Sequence, residues 1–323
     1  MLTEEEEAEF FGLALQEIAP LRWGGLTPQV IRPGGAWSDI RGTRVLVAAW
    51  SLQNLPLDVL AGCGGSLEYL CLMVGSPKRS ITKEHLQKGL LLTNWGDKVA
   101  FTVAEAALMM ALAASRGLCR YQAELRQGQW PSVHSPTRTL WGKQVGIHGF
   151  GSVARALIQL LKPFQVQVTV FAQDVPEELI RQSGAMVAPR LEDLMKTATV
   201  LFEAEALKDT TRDSLDYRML SLLPKEAVFV NVARGGLVVE EDLLQAALER
   251  NLHVALDVYR QEPLPMDSPI RRIPGAILLP HMAGPTQDIR SECGHLAIDN
   301  VATYLRGKQP RFVISEAQFD FIT

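Results

Sequence analysis

Apolar residues recur along this chain in two rhythms, one of strand length and one of helical period. Short apolar runs at 43–50 (TRVLVAAW), 67–75 and 90–94 read as strands, with a glycine-closed helix at 82–89 before the third. The first twenty residues predict one helix: Thr3 and Glu6 have capping-box spacing, and Phe10, Leu13, Leu15 and Ile18 supply apolar positions. A single long helix is expected over about 100–127, followed by a connector, 128–142, with two prolines and no periodicity. From 143 the alternation is regular, with strands expected at 144–149, 166–171, 185–188, 199–203, 227–232, 253–258 and 276–279. Helices fall between them at 152–162, 175–182, 191–196, 217–222 and 239–250, and a last one covers 286–306 before the tail RGKQPRFVI.

Strands this apolar, alternating with helices, are what a parallel sheet covered on both faces requires, so the class is α/β. At roughly 100–200 residues per domain, 323 residues predict two domains. A hydrophobic share of 47% and a charged share of 21% leave no room for long disorder. The net charge of -4 offers no basic footprint, which argues against nucleic acid and against an acidic membrane surface as partners. The acidic start MLTEEEEAEFF lacks the pattern of a signal peptide. The most apolar stretch, 99–114, carries Glu105 and falls short of the ~20 residues that span a bilayer, so it reads as a buried helix. Cys63, Cys71, Cys119 and Cys293 show no metal-ligand spacing and are expected to be reduced packing residues of a cytoplasmic protein, with no metal site.

The segment KQVGIHGFGSVARALIQLL (143–161) is an apolar strand, a G-x-G turn and an apolar-periodic helix. Gly149 allows the tight turn, Gly151 lets the backbone approach a pyrophosphate, and Ala154 permits close packing of helix on strand. Free N–H groups of Phe150, Ser152 and Val153 at the helix start suit the phosphates of a dinucleotide. His148, the last residue before the turn, reads as a packing residue. The following strand should end in an acid for the ribose hydroxyls, but Ala172 stands there and Asp174 is the nearest carboxylate. No cation lies between 172 and 180, while Asp174, Glu177 and Glu178 would repel a 2'-phosphate, so NAD is favoured over NADP.

Three further segments each follow a predicted strand. VFVNVARGGLVVEEDLL (228–244) carries Arg234, VALDVYRQEPLP (254–265) carries Asp257 and Glu262, and LLPHMAG carries His281. Ligands of open α/β sheets bind at the carboxyl ends of the strands, so these residues can share one crevice. A guanidinium clamps a carboxylate or ketone oxygen, and a carboxylate beside an imidazole favours its charged form. Each residue also admits a plainer reading: a strand-end cap for Arg234, a solvated turn for Glu262, a packed histidine for His281.

Together with RQGQW (126–130), LWGKQVGIHGFGSVA (140–154) and DNVATYLRGKQP (299–310), these segments make the chain resemble the D-isomer-specific 2-hydroxyacid dehydrogenases over nearly its whole length. The resemblance implies two Rossmann-like domains with parallel sheets, the cofactor domain (99–289) inserted in a split substrate domain (1–98 and 290–323). It implies Arg234, Glu262 and His281 as the catalytic residues, with Asp257 near the nicotinamide carboxamide and Ala233 among the cofactor contacts. It further implies a small 2-keto or 2-hydroxy acid as substrate, and a homodimer built through the helix near 100–127. No regulatory domain is expected after residue 323.

Two departures stand out. The loop that holds the substrate carboxylate in such enzymes corresponds to MVGSPKRSIT (73–82), with Val74, Gly75 and Ser76 kept and Pro77, which has no N–H, in place of a glycine. Lys78 and Arg79 follow, either as substitute donors for a larger or more anionic substrate or as solvent-facing charges. Second, Ala204, Glu205 and Ala206 stand where a histidine or cysteine and then a proline are expected, and Glu203 and Glu205 add charge beside the cofactor. These departures keep a second reading open, a non-catalytic NAD(H)-sensing interaction protein resembling co-repressors of the same fold. Formate oxidation fits less well, because it wants an amide where Glu262 stands.

Overall fold

The computed structural model describes residues 1–35, 37–130, 137–320 and 322. Residues 131–136 of the predicted connector therefore lie outside the described residues. The chain divides into two compact units, Met1–Val99 with Pro285–Thr323, and Ala100–Gly284.

The first unit holds a parallel sheet of β1 (Val45–Ala48), β2 (Tyr69–Leu72) and β3 (Leu91–Thr93), with β2 in the middle. All four residues of β2 are buried, as a central strand covered on both faces requires. The expected N-terminal helix is two helices, Glu4–Phe10 and Ala14–Arg22, because Gly12 between them takes a left-handed φ of 51°. The Thr3–Glu6 capping box is present. Helix Gln287–Leu305 packs closely on the first of these, and a Cβ at Gly294 would lie 1.8 Å from the carbonyl oxygen of Phe10. A short helix that the sequence reading missed, Glu316–Phe319, closes the chain; its signal was the capping box formed by Ser315 and Gln318.

The second unit is a seven-stranded, wholly parallel sheet. Its strands are β4 (Gln144–His148), β5 (Gln167–Phe171), β6 (Met186–Val187), β7 (Val200–Glu203), β8 (Val228–Asn231), β9 (His253–Leu256) and β10 (Ile277–Leu278). Their order is β10-β9-β8-β7-β4-β5-β6, so the chain reverses direction across the sheet between β4 and β7. Side chains alternate between two cores: Val228 and Val230 enter one, Phe229 the other. One face is covered by helices Ala100–Ser115 and Ser152–Leu161, the other by Leu191–Thr197, Tyr217–Leu220 and Glu240–Arg250. Ala100, Ala104, Ala107, Ala111 and Ala114 give the first of these helices a buried face of small side chains.

The single helix expected over 100–127 is two, Ala100–Ser115 and Leu118–Arg126, bent by 58°. Gly117, at φ 61°, makes the break. Among the described residues no single helix is long and apolar enough to cross a membrane. All four cysteines are free thiols, but only Cys71 and Cys293 are buried; Cys63 and Cys119 are exposed and are not packing residues.

Candidate active site

Adjacent strands β8, β9 and β10 deliver Arg234, Glu262 and His281 to one place in the second unit. His281 Nδ1 lies 2.7 Å from Glu262 Oε2, and the other Glu262 oxygen accepts the N–H of Tyr259 at 3.0 Å. Burial pushes the Glu262 carboxyl up, but these two bonds and the charges of His281 and Arg234 outweigh it and hold the group below the usual carboxylate value. The imidazole itself is 44% exposed, open to a reacting molecule.

The backbone around His281 is held in an uncommon shape. His281 has φ 54°, in the left-handed region. The carboxylate of Asp257, 1% exposed, accepts the N–H groups of the next two residues, Met282 at 2.7 Å and Ala283 at 2.9 Å. Burial pushes Asp257 up; the two N–H groups oppose this without cancelling it. Tyr259, which the sequence reading passed over, ties β9 to β10 through its hydroxyl, 2.8 Å from the Leu279 carbonyl.

Arg234 sits on a turn fixed by Asn231, another residue not singled out from sequence. Asn231 is 1% exposed; its amide donates to the Arg234 carbonyl at 3.1 Å and accepts from the Ala233 N–H at 3.0 Å. The guanidinium donates to the Ala233 carbonyl at 2.6 Å. At Gly235 a Cβ would fall 1.9 Å from the Tyr259 carbonyl carbon, so only glycine lets the β8 and β9 connections meet here.

At the other limb of the sheet, β4 ends in the glycine turn. Gly149 has φ 96°, and a Cβ there would fall 2.6 Å from the Ala204 carbonyl oxygen. Beyond Gly151 the space is open, with no atom within 4 Å of a Cβ placed there. Helix Ser152–Leu161 starts at Gly151 with no side chain capping it, so the N–H groups of Ser152 and Val153 remain for an anion; the Phe150 side chain is buried. A bare helix start, an open approach and a backbone closed tightly behind it fit a dinucleotide pyrophosphate.

His148 is more than a packing residue. Buried beside Glu203 of β7, it forms an ion pair with Nδ1 to Oε2 at 2.7 Å, and the other Glu203 oxygen accepts the Glu205 N–H at 2.8 Å. Burial disfavours the imidazolium, but the charge and hydrogen bond of Glu203 prevail and raise the His148 pKa. Glu205 accepts the N–H of Ala206 at 2.8 Å. The Glu203 carboxylate added beside the glycine turn is thus consumed within the fold.

The sequence placed no cation near Asp174, yet Lys208, from the connection after β7, reaches it at 2.6 Å. In the first unit, Val74 is buried, and Gly75 accepts the Asn94 amide at 2.9 Å through its carbonyl. Ser76 is half-buried and Pro77 buried. Lys78 donates to the Asp320 carbonyl at 3.1 Å, while Arg79 is exposed.

Residues 108–283 match the family model described as D-isomer specific 2-hydroxyacid dehydrogenase, NAD binding domain. D-3-phosphoglycerate dehydrogenase of Methanocaldococcus jannaschii is 28% identical over 230 residues, 71% of this chain but only 44% of that protein's length. Glyoxylate reductase/hydroxypyruvate reductase of Homo sapiens is 28% identical over 260 residues, 77% of each chain. The crystal structure of a phosphoglycerate oxidoreductase from Rhizobium etli superposes with a TM-score of 0.74 at 25% identity, over 94% of this chain and 93% of that one. With a nicotinamide-dinucleotide domain matched over more than half its length, this chain belongs to the D-isomer-specific 2-hydroxyacid dehydrogenase family.

Proposed function

We propose that the protein reduces small 2-keto acids, glyoxylate, hydroxypyruvate or compounds of similar size, with His281 as general acid/base. The observation that carries this is the 2.7 Å bond between His281 Nδ1 and Glu262, made by an imidazole that is still 44% exposed. Glu262 engages Nδ1 and leaves Nε2 as the atom that moves the proton. Arg234 holds the substrate's carboxylate and ketone oxygen, placing positive charge where negative charge develops. His281 then protonates the ketone oxygen as the carbon is reduced. Bound reduced nicotinamide supplies the hydride. Gly149 to Val153 would hold its pyrophosphate, Asp174 the adenosine ribose, and Ala233 with Asp257 the nicotinamide end. Asp174 supports NAD as the cofactor.

Substrate recognition is assigned to the first unit through Val74, Gly75, Ser76, Lys78 and Arg79. Exposed Phe101, Met109, Leu118 and Leu125 on the two bent helices support a homodimer. The experiment is NADH and NADPH absorbance with glyoxylate, hydroxypyruvate, pyruvate, phenylpyruvate and 3-phosphohydroxypyruvate. Oxidation of either cofactor with at least one of these acids is the expected result. Dinucleotide binding without turnover on any of them would instead favour the cofactor-sensing reading, which Ala204 and Ala206 at the departing positions support.

A further inference from the structure

The connections that follow β5 and β7 flank the glycine turn of β4, because β4 lies between those two strands. One ion pair joins the two connections: Lys208 Nζ to Asp174 Oδ2, 2.6 Å. Lys208 is well placed for this, with a side chain only 17% exposed and its own N–H held by the Thr211 hydroxyl at 2.8 Å. Asp174 is 54% exposed. The neighbouring acids that would repel a phosphate are turned along their own helix. Glu177 pairs with Arg181 at 2.5 Å, and Glu178 accepts from Gln182 at 3.1 Å.

We propose that Asp174 and Lys208 together are the cofactor-selecting element, Asp174 accepting the ribose diol of NAD(H) and Lys208 taking the 2'-phosphate of NADP(H). The inference rests on the dinucleotide site described above and deepens it. A carboxylate suits two hydroxyl donors, whereas a phosphate monoester, with about 1.5 to 2 negative charges, wants a cation. A pair that carries both groups offers either one: the diol approaches Asp174 with its charge already balanced, and the phosphate draws Lys208 from Asp174 to itself. The chain therefore accepts NADP(H) beside the NAD(H) that Asp174 favours, and the choice between them is carried from a loop that a β5-centred motif does not include.

Direct binding tests this without turnover. Adenosine 2',5'-bisphosphate and 5'-AMP, fragments that differ at the 2'-position, are titrated into the wild type, Lys208→Met and Asp174→Asn by calorimetry, with NADH fluorescence as a parallel readout. Lys208→Met is expected to weaken the bisphosphate by about tenfold or more and to leave 5'-AMP and NADH within about twofold. Asp174→Asn is expected to do the reverse, weakening 5'-AMP and NADH while the bisphosphate holds or tightens. Unchanged bisphosphate affinity in Lys208→Met, or an equal loss of both fragments, overturns the proposal while NADH binding still upholds the dinucleotide site. A wild type that binds neither NADH nor either fragment overturns both.

Discussion

His281 and Asp257 are linked through the backbone: the Asp257 carboxylate accepts the N–H groups of the two residues after His281, at 2.7 and 2.9 Å. That link holds a left-handed histidine in place and aims its ring at Glu262. Asp257 is thus a positioning residue for His281 as well as a candidate cofactor contact. Replacing Asp257 with Asn swaps one acceptor for a donor facing an N–H. The expected cost is about 1–3 kcal/mol of stability, read from urea unfolding. It should come with a fall in kcat larger than any change in KM.

Glu262 ties acid stability to the same cluster. Its carboxyl lies below the usual carboxylate value in the folded protein, so it stabilises the fold above that value and ceases to as pH falls through the folded value. Glu262→Gln should therefore show a shallower loss of stability than the wild type between pH 5 and 3, measured as urea midpoints at about half-unit pH steps. Parallel curves would remove Glu262 from the account of acid stability.

His148 and Glu203 form a buried pair with the opposite sign. The His148 pKa is raised above the ordinary imidazole value, so its contribution is full below that ordinary value and is lost as pH rises through the folded value. His148→Leu leaves Glu203 buried without its partner and should cost roughly 3–5 kcal/mol, whereas the double variant His148→Leu/Glu203→Leu should recover most of that. Thermal unfolding of the three proteins at pH 6 and pH 9 reads both effects. The gap between the wild type and the double variant should narrow at the higher pH.

Gly235 tests the meeting of the β8 and β9 connections. A Cβ there falls 1.9 Å from the Tyr259 carbonyl carbon and 2.3 Å from the Arg260 nitrogen, both main-chain atoms that cannot swing aside. Gly235→Ala should lose about 1–3 kcal/mol by overpacking and displace Arg234. Calorimetric unfolding gives the first, and a raised KM for the keto acid the second.

Much of this architecture was legible in residue order. The seven strands of the second unit could be read because they are apolar and short, and because turn residues separate them. The residues Arg234, Glu262 and His281 could be read because each stands just past a strand end, where a parallel sheet gathers side chains. The breaks at Gly12 and Gly117 were not read, since one glycine within an apolar period is compatible with a continuous helix until its φ is known. Lys208 was missed for a different reason. It lies 34 residues from Asp174, and only the placement of β5 and β7 on either side of β4 brings the two together. His148 looked apolar in context because its partner Glu203 sits on a strand 55 residues away.

Single-turnover oxidation of bound NADH by a 2-keto acid reads whether His281 moves the proton. In His281→Ala, NADH affinity is expected to stay within about twofold of the wild type. The chemical step is expected to slow by between about a hundredfold and ten-thousandfold. A variant that binds NADH normally and turns over at the wild-type rate would contradict that role of His281.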